Sequence, residues 1–287
     1  MRIANSELTV EIAPLGAELQ SITSANGDNW LWHGDPAWWS GRAPLLFPVV
    51  GKSPDGAVTI EGKRYPMLPH GFARRSVFDV AQERPEQVTL MLRASDETRQ
   101  SFPFEFFLSV THALAGRTLT TTVEVGNLDV RDMPFGFGFH PAFVWPLPGG
   151  EDQRHYLKLR TADEPRFLEL DADGLILPDV HASPFTKGEM TLEHALFGND
   201  ALLFPFGVDD GIRYAAEGGS SVELSWTNLP NFAVWQKQGA PYICLEPWHG
   251  MAARKGAGDA ITARTGTVTL AANATTNFTL SVTFNRA

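Results

Sequence analysis

The segment Arg117-Thr118-Leu119-Thr120-Thr121-Thr122-Val123-Glu124-Val125 decides the fold class. It is rich in β-branched residues, whose crowded Cβ favours extended backbone, and period-two alternation puts Leu119, Thr121, Val123 and Val125 on one side. The preceding run, Phe106 to Ala113, alternates likewise, so Leu114-Ala115-Gly116 between the two predicts a hairpin. Near the C-terminus Phe278, Leu280, Val282 and Phe284 alternate with Thr279, Ser281 and Thr283, giving one face to a core and the other to water. Short segments of this kind, punctuated by Gly, Pro, Asn and Asp, fill most of the chain. They predict an all-β protein, a large antiparallel β-sandwich with only a turn or two of helix at Ser95 to Gln100 and at Thr191 to Leu196. The stretch from Gly149 to Asp210 is the most irregular, yet Leu157, Phe167 and Leu175 anchor it. It reads as loops and hairpins inside a single domain of residues 1–287.

Composition narrows the class of function. Of 287 residues, 43% are hydrophobic and 11% aromatic, enough for a substantial core. A net charge of −10 disfavours nucleic acid and anionic membranes as partners, while leaving room for a local basic pocket. No apolar run reaches the roughly 18 residues of a membrane span, and Met1 to Glu7 lacks a signal-peptide apolar region, so a cytoplasmic location is expected. The single cysteine, Cys244, excludes an internal disulfide and multi-cysteine zinc sites. Its apolar neighbours suggest a buried or pocket-lining thiol more than an activated nucleophile.

Chemistry is best sought in Tyr242-Ile243-Cys244-Leu245-Glu246-Pro247-Trp248-His249-Gly250, where a carboxylate interrupts an apolar strand-like run. Alternation puts Tyr242, Cys244, Glu246 and Trp248 on one face. A carboxylate so placed either has a specific partner or has its pKa raised by desolvation toward the range useful for proton transfer; a rim glutamate paired to Arg or Lys is the plainer alternative. Two histidines lie in tight turns among aromatics, in Pro69-His70-Gly71-Phe72-Ala73-Arg74 and in Gly136-Phe137-Gly138-Phe139-His140-Pro141-Ala142-Phe143. Each alone reads as a partly buried ring satisfying backbone groups. The proline after His140 holds that residue away from the helical region.

These motifs, taken together, resemble the aldose 1-epimerase (galactose mutarotase) superfamily, nearest its LacX-like and hexose-6-phosphate mutarotase-like branch. The resemblance rests on Arg42-Ala43-Pro44-Leu45-Leu46-Phe47-Pro48 with Gly51, His70-Gly71-Phe72-Ala73-Arg74, Asp96-Glu97-Thr98, Phe102-Pro103-Phe104, Gly138-Phe139-His140-Pro141-Ala142-Phe143, Phe197-Gly198-Asn199-Asp200-Ala201-Leu202 and Cys244-Leu245-Glu246-Pro247-Trp248. It implies a supersandwich with an open cleft for a pyranose, and α/β anomer interconversion of a hexose or hexose-6-phosphate by acid/base ring opening without a cofactor. It also implies roles: Glu246 as general base at the anomeric hydroxyl, His140 as general acid at the ring oxygen, His70 as a second histidine stabilising the opening sugar, Asp200 binding hydroxyls, and Arg42 at the cleft. In the phosphate-binding branch basic residues surround the cleft, and Arg42, Lys52, Arg74 and Lys237 are candidates; solvation, or pairing of Lys52 and Arg74 with Asp55 and Asp79, is the alternative.

The physical reading is compatible with those roles, since mutarotation needs one group to accept a proton at O1 while another donates to O5. An unperturbed Glu near 4.3 and His near 6.5 are ordered correctly for base and acid, given modest tuning. Trp248 shares Glu246's face and could stack on sugar; Trp235 reads more simply as core, and Phe139 likewise. Other classes stay open: a noncatalytic sugar-binding or sensor protein, a glycoside hydrolase using Asp200 and Glu246, or a metalloenzyme using His70, His140 and Glu246. The small-molecule partner is a sugar or sugar phosphate, and either a monomer or a homodimer fits the sequence.

Overall fold

The computed structural model describes residues 1–286. The hairpin that opened the sequence reading forms the middle of a nine-stranded antiparallel sheet, in which Thr118–Asn127 pairs with Phe106–Ala115 on one side and Thr275–Asn285 on the other. Its turn is tighter than expected. Thr118 pairs with Ala115, so Leu114 and Ala115 belong to the strand and only Gly116 and Arg117 make the bend, Gly116 supplying a φ of 54°. The expected faces hold: Leu119, Val123, Val125, Phe278, Leu280, Val282 and Phe284 are all buried. The sheet continues through Gln87–Arg93 to the edge Asp79–Arg84 in one direction. In the other it runs through Ser221–Thr227, Gly211–Ala216 and His155–Leu159 to Glu189–Thr191.

Facing it is an eight-stranded sheet. Its path runs Ile176–His181, Phe167–Leu170, Leu202–Phe204, Asn231–Trp235, Tyr242–His249, Phe137–Phe139 and Leu45–Leu46, with Ala142–Val144 also paired to Tyr242–His249. Aromatic contacts close the two sheets on each other. Phe137 stacks on Phe278 at 4.6 Å and Trp226 on Phe232 at 5.0 Å between ring centroids. This is the sandwich predicted from alternation. The irregular stretch from Gly149 to Asp210 is more ordered than expected, because its short strands are shared between the two sheets. Helix is confined to single turns. Asp96–Arg99 is an α-helical turn capped by Ser95 and Thr98, whereas the turn expected at Thr191 to Leu196 is a 3-10 turn at His194–Phe197, since Glu189–Thr191 is drawn into the sheet edge by pairing with His155–Leu159. No helix among the described residues is long and apolar enough to cross a membrane.

One buried polar group ties the hairpin to the N-terminal strands. His112 Nδ1 lies 2.9 Å from Thr121 Oγ1 and its Nε2 lies 3.0 Å from the carbonyl oxygen of Ala17. A carbonyl only accepts, so Nε2 carries the proton, Nδ1 accepts from the Thr121 hydroxyl, and the ring is neutral. Burial lowers its pKa from 6.5 to about 4, against a smaller upward pull from the Ala17 carbonyl. The unfolded chain therefore binds more protons than the native one between those values. The stability this group contributes is complete above pH 6.5 and is lost as pH falls toward 4, at about 1.4 kcal/mol per pH unit. Urea unfolding between those limits should show a shallower pH slope for His112→Gln than for the parent, by about that amount; an unchanged slope would mean that the ring is already charged in the fold.

Candidate active site

Strand Tyr242–His249 runs through the eight-stranded sheet with both faces occupied. Ile243 and Leu245 enter the main core, while Tyr242, Cys244, Glu246 and Trp248 point the other way, as alternation requires. Beside it, Gly138 pairs with Trp248, and a Cβ on Gly138 would stand 2.4 Å from the indole. Glycine there lets the Trp248 ring lie flat against the backbone. Two residues further on, His140 leaves the strand toward the same face.

His70 arrives from a separate turn. Gly71, at a φ of 71°, packs so closely that a Cβ would sit 2.1 Å from the carbonyl oxygen of Phe47, and that oxygen accepts hydrogen bonds from Phe72 and Ala73. His70 itself adopts a left-handed φ of 63°, a conformation costing a non-glycine residue about 1–2 kcal/mol that the docked turn maintains. The backbone N–H of Gly51 donates to its Nδ1 at 3.1 Å. With Nδ1 fixed as acceptor, the neutral ring presents Nε2–H as a donor.

These elements enclose a cavity of about 800 Å³, lined by His70, His140, Glu246 and Trp248 together with Lys52, Arg74 and Asp200. His140 Nε2 lies 3.3 Å from Glu246 Oε2, and the two histidine rings are 5.7 Å apart. Trp39 stacks on His140 at 4.9 Å, and Trp235 meets it edge-on at 5.7 Å. Trp235 is thus a half-buried wall residue rather than the core side chain expected, because its strand ends at the cavity rim; Phe139 does belong to the core.

The cations sort differently from expectation. Arg42 is absent from the cavity lining. Its backbone N–H, with that of Ala43, donates to Glu18 Oε1, and its guanidinium lies against Gly34. Lys237 donates to the carbonyl of Ala37 instead of reaching the cavity. Lys52 and Arg74 line the cavity and form no salt bridge among the described residues, while Asp55, one of their expected partners, pairs with Arg64. The cavity lining also brings residues that the sequence reading did not single out. Glu169 accepts from Asn199 at 3.3 Å, and Asp171 caps the turn to Leu175 and meets Lys255 at 3.1 Å. Trp39, Glu169 and Asp171 sit in segments without a distinctive local pattern; only Asn199 lay in a quoted motif.

Electrostatics depart furthest from expectation. Burial drives Glu246 well above the usual carboxylate range, the Asp200 charge adds to this, and the nearby Trp248 N–H and Arg74 pull the other way. The indole makes no full hydrogen bond, and Glu246 Oε2 is likewise unpartnered. Burial drives His140 well below 6.5, with His70 and Arg74 adding to it. In each group, therefore, burial favours the neutral form. Both groups are held neutral, a carboxylic acid facing an imidazole, and the pair contains one mobile proton. His70 is lowered to about 3 by burial and then by Arg74, Arg75, Arg264 and Lys52. It stays neutral at every ordinary pH. Among the described residues, one group of side chains is placed to hold a metal: atoms of His140, Cys244 and Glu246 lie within 4.8 Å of one another, a set in which Cys244 replaces the expected His70.

Arg264 organises the backbone around Gly51. Its guanidinium donates to the carbonyls of Val50, Lys52 and Met251 and to Ser53 Oγ, with no carboxylate partner. Burial lowers its pKa to about 10. By gripping residues on both sides of Gly51 it fixes the N–H that orients His70.

The aldose 1-epimerase family pattern matches residues 1–282. Two forms of Protein LacX, plasmid and chromosomal, from Lactococcus lactis subsp. lactis are each 28% identical over 262 residues, covering 88% of this chain and 88% of the relative. A galactose mutarotase related enzyme from Lactobacillus acidophilus superposes with a TM-score of 0.93 at 29% identity, covering 99% of this chain and 97% of the other. A galactose mutarotase-like protein from Lactobacillus casei gives 0.93 at 30%, covering 99% of each.

Arg264→Met should raise the His70 pKa above about 3, because a cation that favours the neutral ring is removed, and should cost stability, about 1–3 kcal/mol for each buried carbonyl left unpaired. Arg264→Lys retains the charge and should leave His70 depressed. A two-dimensional NMR titration of the ring distinguishes them; equal His70 values in parent and Arg264→Met would show that Arg264 does not act on it.

Proposed function

The chain belongs to the aldose 1-epimerase family, and from that premise we propose that it is a cofactor-independent mutarotase in which Glu246 and His140 exchange protons with the two oxygens on the anomeric carbon of a hexose. The observation that carries this reading is the 3.3 Å separation of His140 Nε2 and Glu246 Oε2 inside the cavity. O1 and O5 share one carbon, so the acid and base serving them must be near neighbours. A pair holding one proton supplies one donor and one acceptor.

Ring opening begins when that proton is on His140. Nε2–H transfers to O5 as the C1–O5 bond breaks, the O1–H proton passes to Glu246, and C1=O1 forms. This step turns a buried ion pair into the neutral pair that burial favours, which assists departure from the closed ring. Rotation about C1–C2 turns the other aldehyde face inward. Glu246 then returns a proton to the carbonyl oxygen, His140 takes the proton of the C5 hydroxyl, and closure gives the other anomer. His70, neutral and donating through Nε2, stabilises charge developing on a sugar oxygen without itself changing charge. Trp39 and Trp235 hold the His140 ring by packing. Exposed Asp200, in a left-handed conformation at the rim, accepts from sugar hydroxyls.

The preferred substrate is a hexose bearing a phosphoryl group. Glu169 and Asp171 are already engaged with Asn199 and Lys255, whereas Lys52 and Arg74 face the cavity without ion pairs. Arg74 also lies close enough to Glu246, His70 and His140 to influence all three, so it serves chemistry on any sugar. Lys52 is the more selective anion-binding group.

Glu246→Gln should retain the fold, judged by circular dichroism and thermal unfolding, and lose about 10²–10⁴-fold in anomer exchange followed by NMR or polarimetry. Parental rates in the folded variant would sink the assignment, and a parent that binds sugars without exchanging anomers would make the protein a sensor. Lys52→Ala should lower kcat/KM for hexose-6-phosphates by about 10–100-fold, the equivalent of about 1.5–3 kcal/mol for a charge-assisted contact, and spare free hexoses. Equal losses on both would refute the phosphate role.

A further inference from the structure

Cys244 shares the Glu246 face and takes no part in the proposed chemistry. It lies two residues before Glu246, is fully buried and does not line the cavity. Its sulfur is nevertheless part of a compact donor set, since one atom each from His140, Cys244 and Glu246 lie within 4.8 Å of one another. A second observation points to a ligand there: His140, only 6% exposed, has an Nδ1 with no hydrogen-bond partner. Buried polar atoms are rarely left in that state without a ligand to meet.

We propose that His140, Cys244 and Glu246 form a binding site for a thiophilic divalent cation, with Zn²⁺ the best-matched ion, and that the bound ion silences the sugar chemistry by occupying the proton-transfer pair. The donors are one thiolate sulfur, one imidazole nitrogen and one carboxylate oxygen, a set suited to Zn²⁺ or Co²⁺ and unsuited to Mg²⁺ or Ca²⁺, which take oxygen ligands. Thiolate and carboxylate together neutralise a dication, so the buried complex carries no net charge. Around a tetrahedral Zn²⁺ such donors stand about 3.4–3.6 Å apart, so atoms now within 4.8 Å of one another would close by up to about 1.4 Å on binding. Glu246 and His140 line the cavity, which gives the ion its route in. The inhibitory half of this proposal rests on the proposed mutarotase reading, whereas the metal site stands without it.

The experiment titrates metal-free protein with Co²⁺, then displaces it with Zn²⁺, in the absence of sugar. One equivalent of Co²⁺ should bind with a thiolate-to-cobalt charge-transfer absorption that Zn²⁺ abolishes and Mg²⁺ does not. Cys244→Ala should lose that absorption and weaken Zn²⁺ binding by more than the roughly 10–100-fold that follows loss of a supporting outer-shell group. With chelator present, the same variant should interconvert anomers at the parental rate, and it should keep that rate at Zn²⁺ concentrations that stop the parent. Absence of the charge-transfer band in the parent, or equal Zn²⁺ affinity in parent and Cys244→Ala, overturns the proposal. Should Cys244→Ala fail to fold, the parent spectrum and Cys244→Ser decide it by the same criteria. A parent that shows the thiolate signature but exchanges no anomers would retain the metal site and reject the mutarotase reading.

Discussion

The structure turns on one strand being buried on both sides. Tyr242–His249 sends Ile243 and Leu245 into the core shared by the two sheets, Glu246 and Trp248 toward the cavity, and Cys244 into a small apolar cluster beside it. Because side chains alternate, a slip of one residue would put a carboxylate into the core and a leucine into the cavity, and burial of either kind would be penalised heavily. The pairing of Glu246 with Ala233 and of Trp248 with both Asn231 and Gly138 is therefore held by hydrophobic burial on the far face. Glu246 inherits its position from the core.

The same burial sets the electrostatics. Glu246 and His140 are neutral because neither finds enough polar company to justify charge, while Arg264 remains a buried cation because four oxygen atoms receive its protons. These are opposite solutions to one problem, the cost of ionising a group away from water. Burial keeps His70 uncharged, with the Arg74, Arg75 and Arg264 charges adding to it, and so preserves it as a donor of fixed orientation.

Much of this was legible before any coordinates. Alternation located the hairpin, the final strand and the face shared by Glu246 and Trp248, because those signals are local and periodic. It failed where position depends on partners distant in sequence. Trp235 read as core since nothing in its neighbourhood reveals that its strand ends at a cavity, and Arg42 read as a cleft residue although Glu18, far off in the chain, fixes its backbone and its head lies against Gly34. Histidine and glutamate values near their solution references were a sound starting assumption only for groups in contact with water. Arg264 carried no signal at all: one arginine in a polar loop looks like any other until the carbonyls it gathers are seen.

The segment between His155 and Phe204 crosses repeatedly between the sheets, giving strands His155–Leu159 and Glu189–Thr191 to one and Phe167–Leu170, Ile176–His181 and Leu202–Phe204 to the other. Glu169, Asp171, Asn199 and Asp200, which line the cavity together with His70 and His140, are carried on this weave. Such stitching joins elements distant in sequence, and contacts of that kind are entropically expensive and form slowly. Every strand residue that lines the cavity belongs to the eight-stranded sheet, so the other sheet contributes by burying its far face. The cavity is complete only once Phe167–Leu170, Ile176–His181 and Leu202–Phe204 have joined that sheet across the excursions to the other, and an intact cleft becomes a late certificate that the whole chain has reached its native topology.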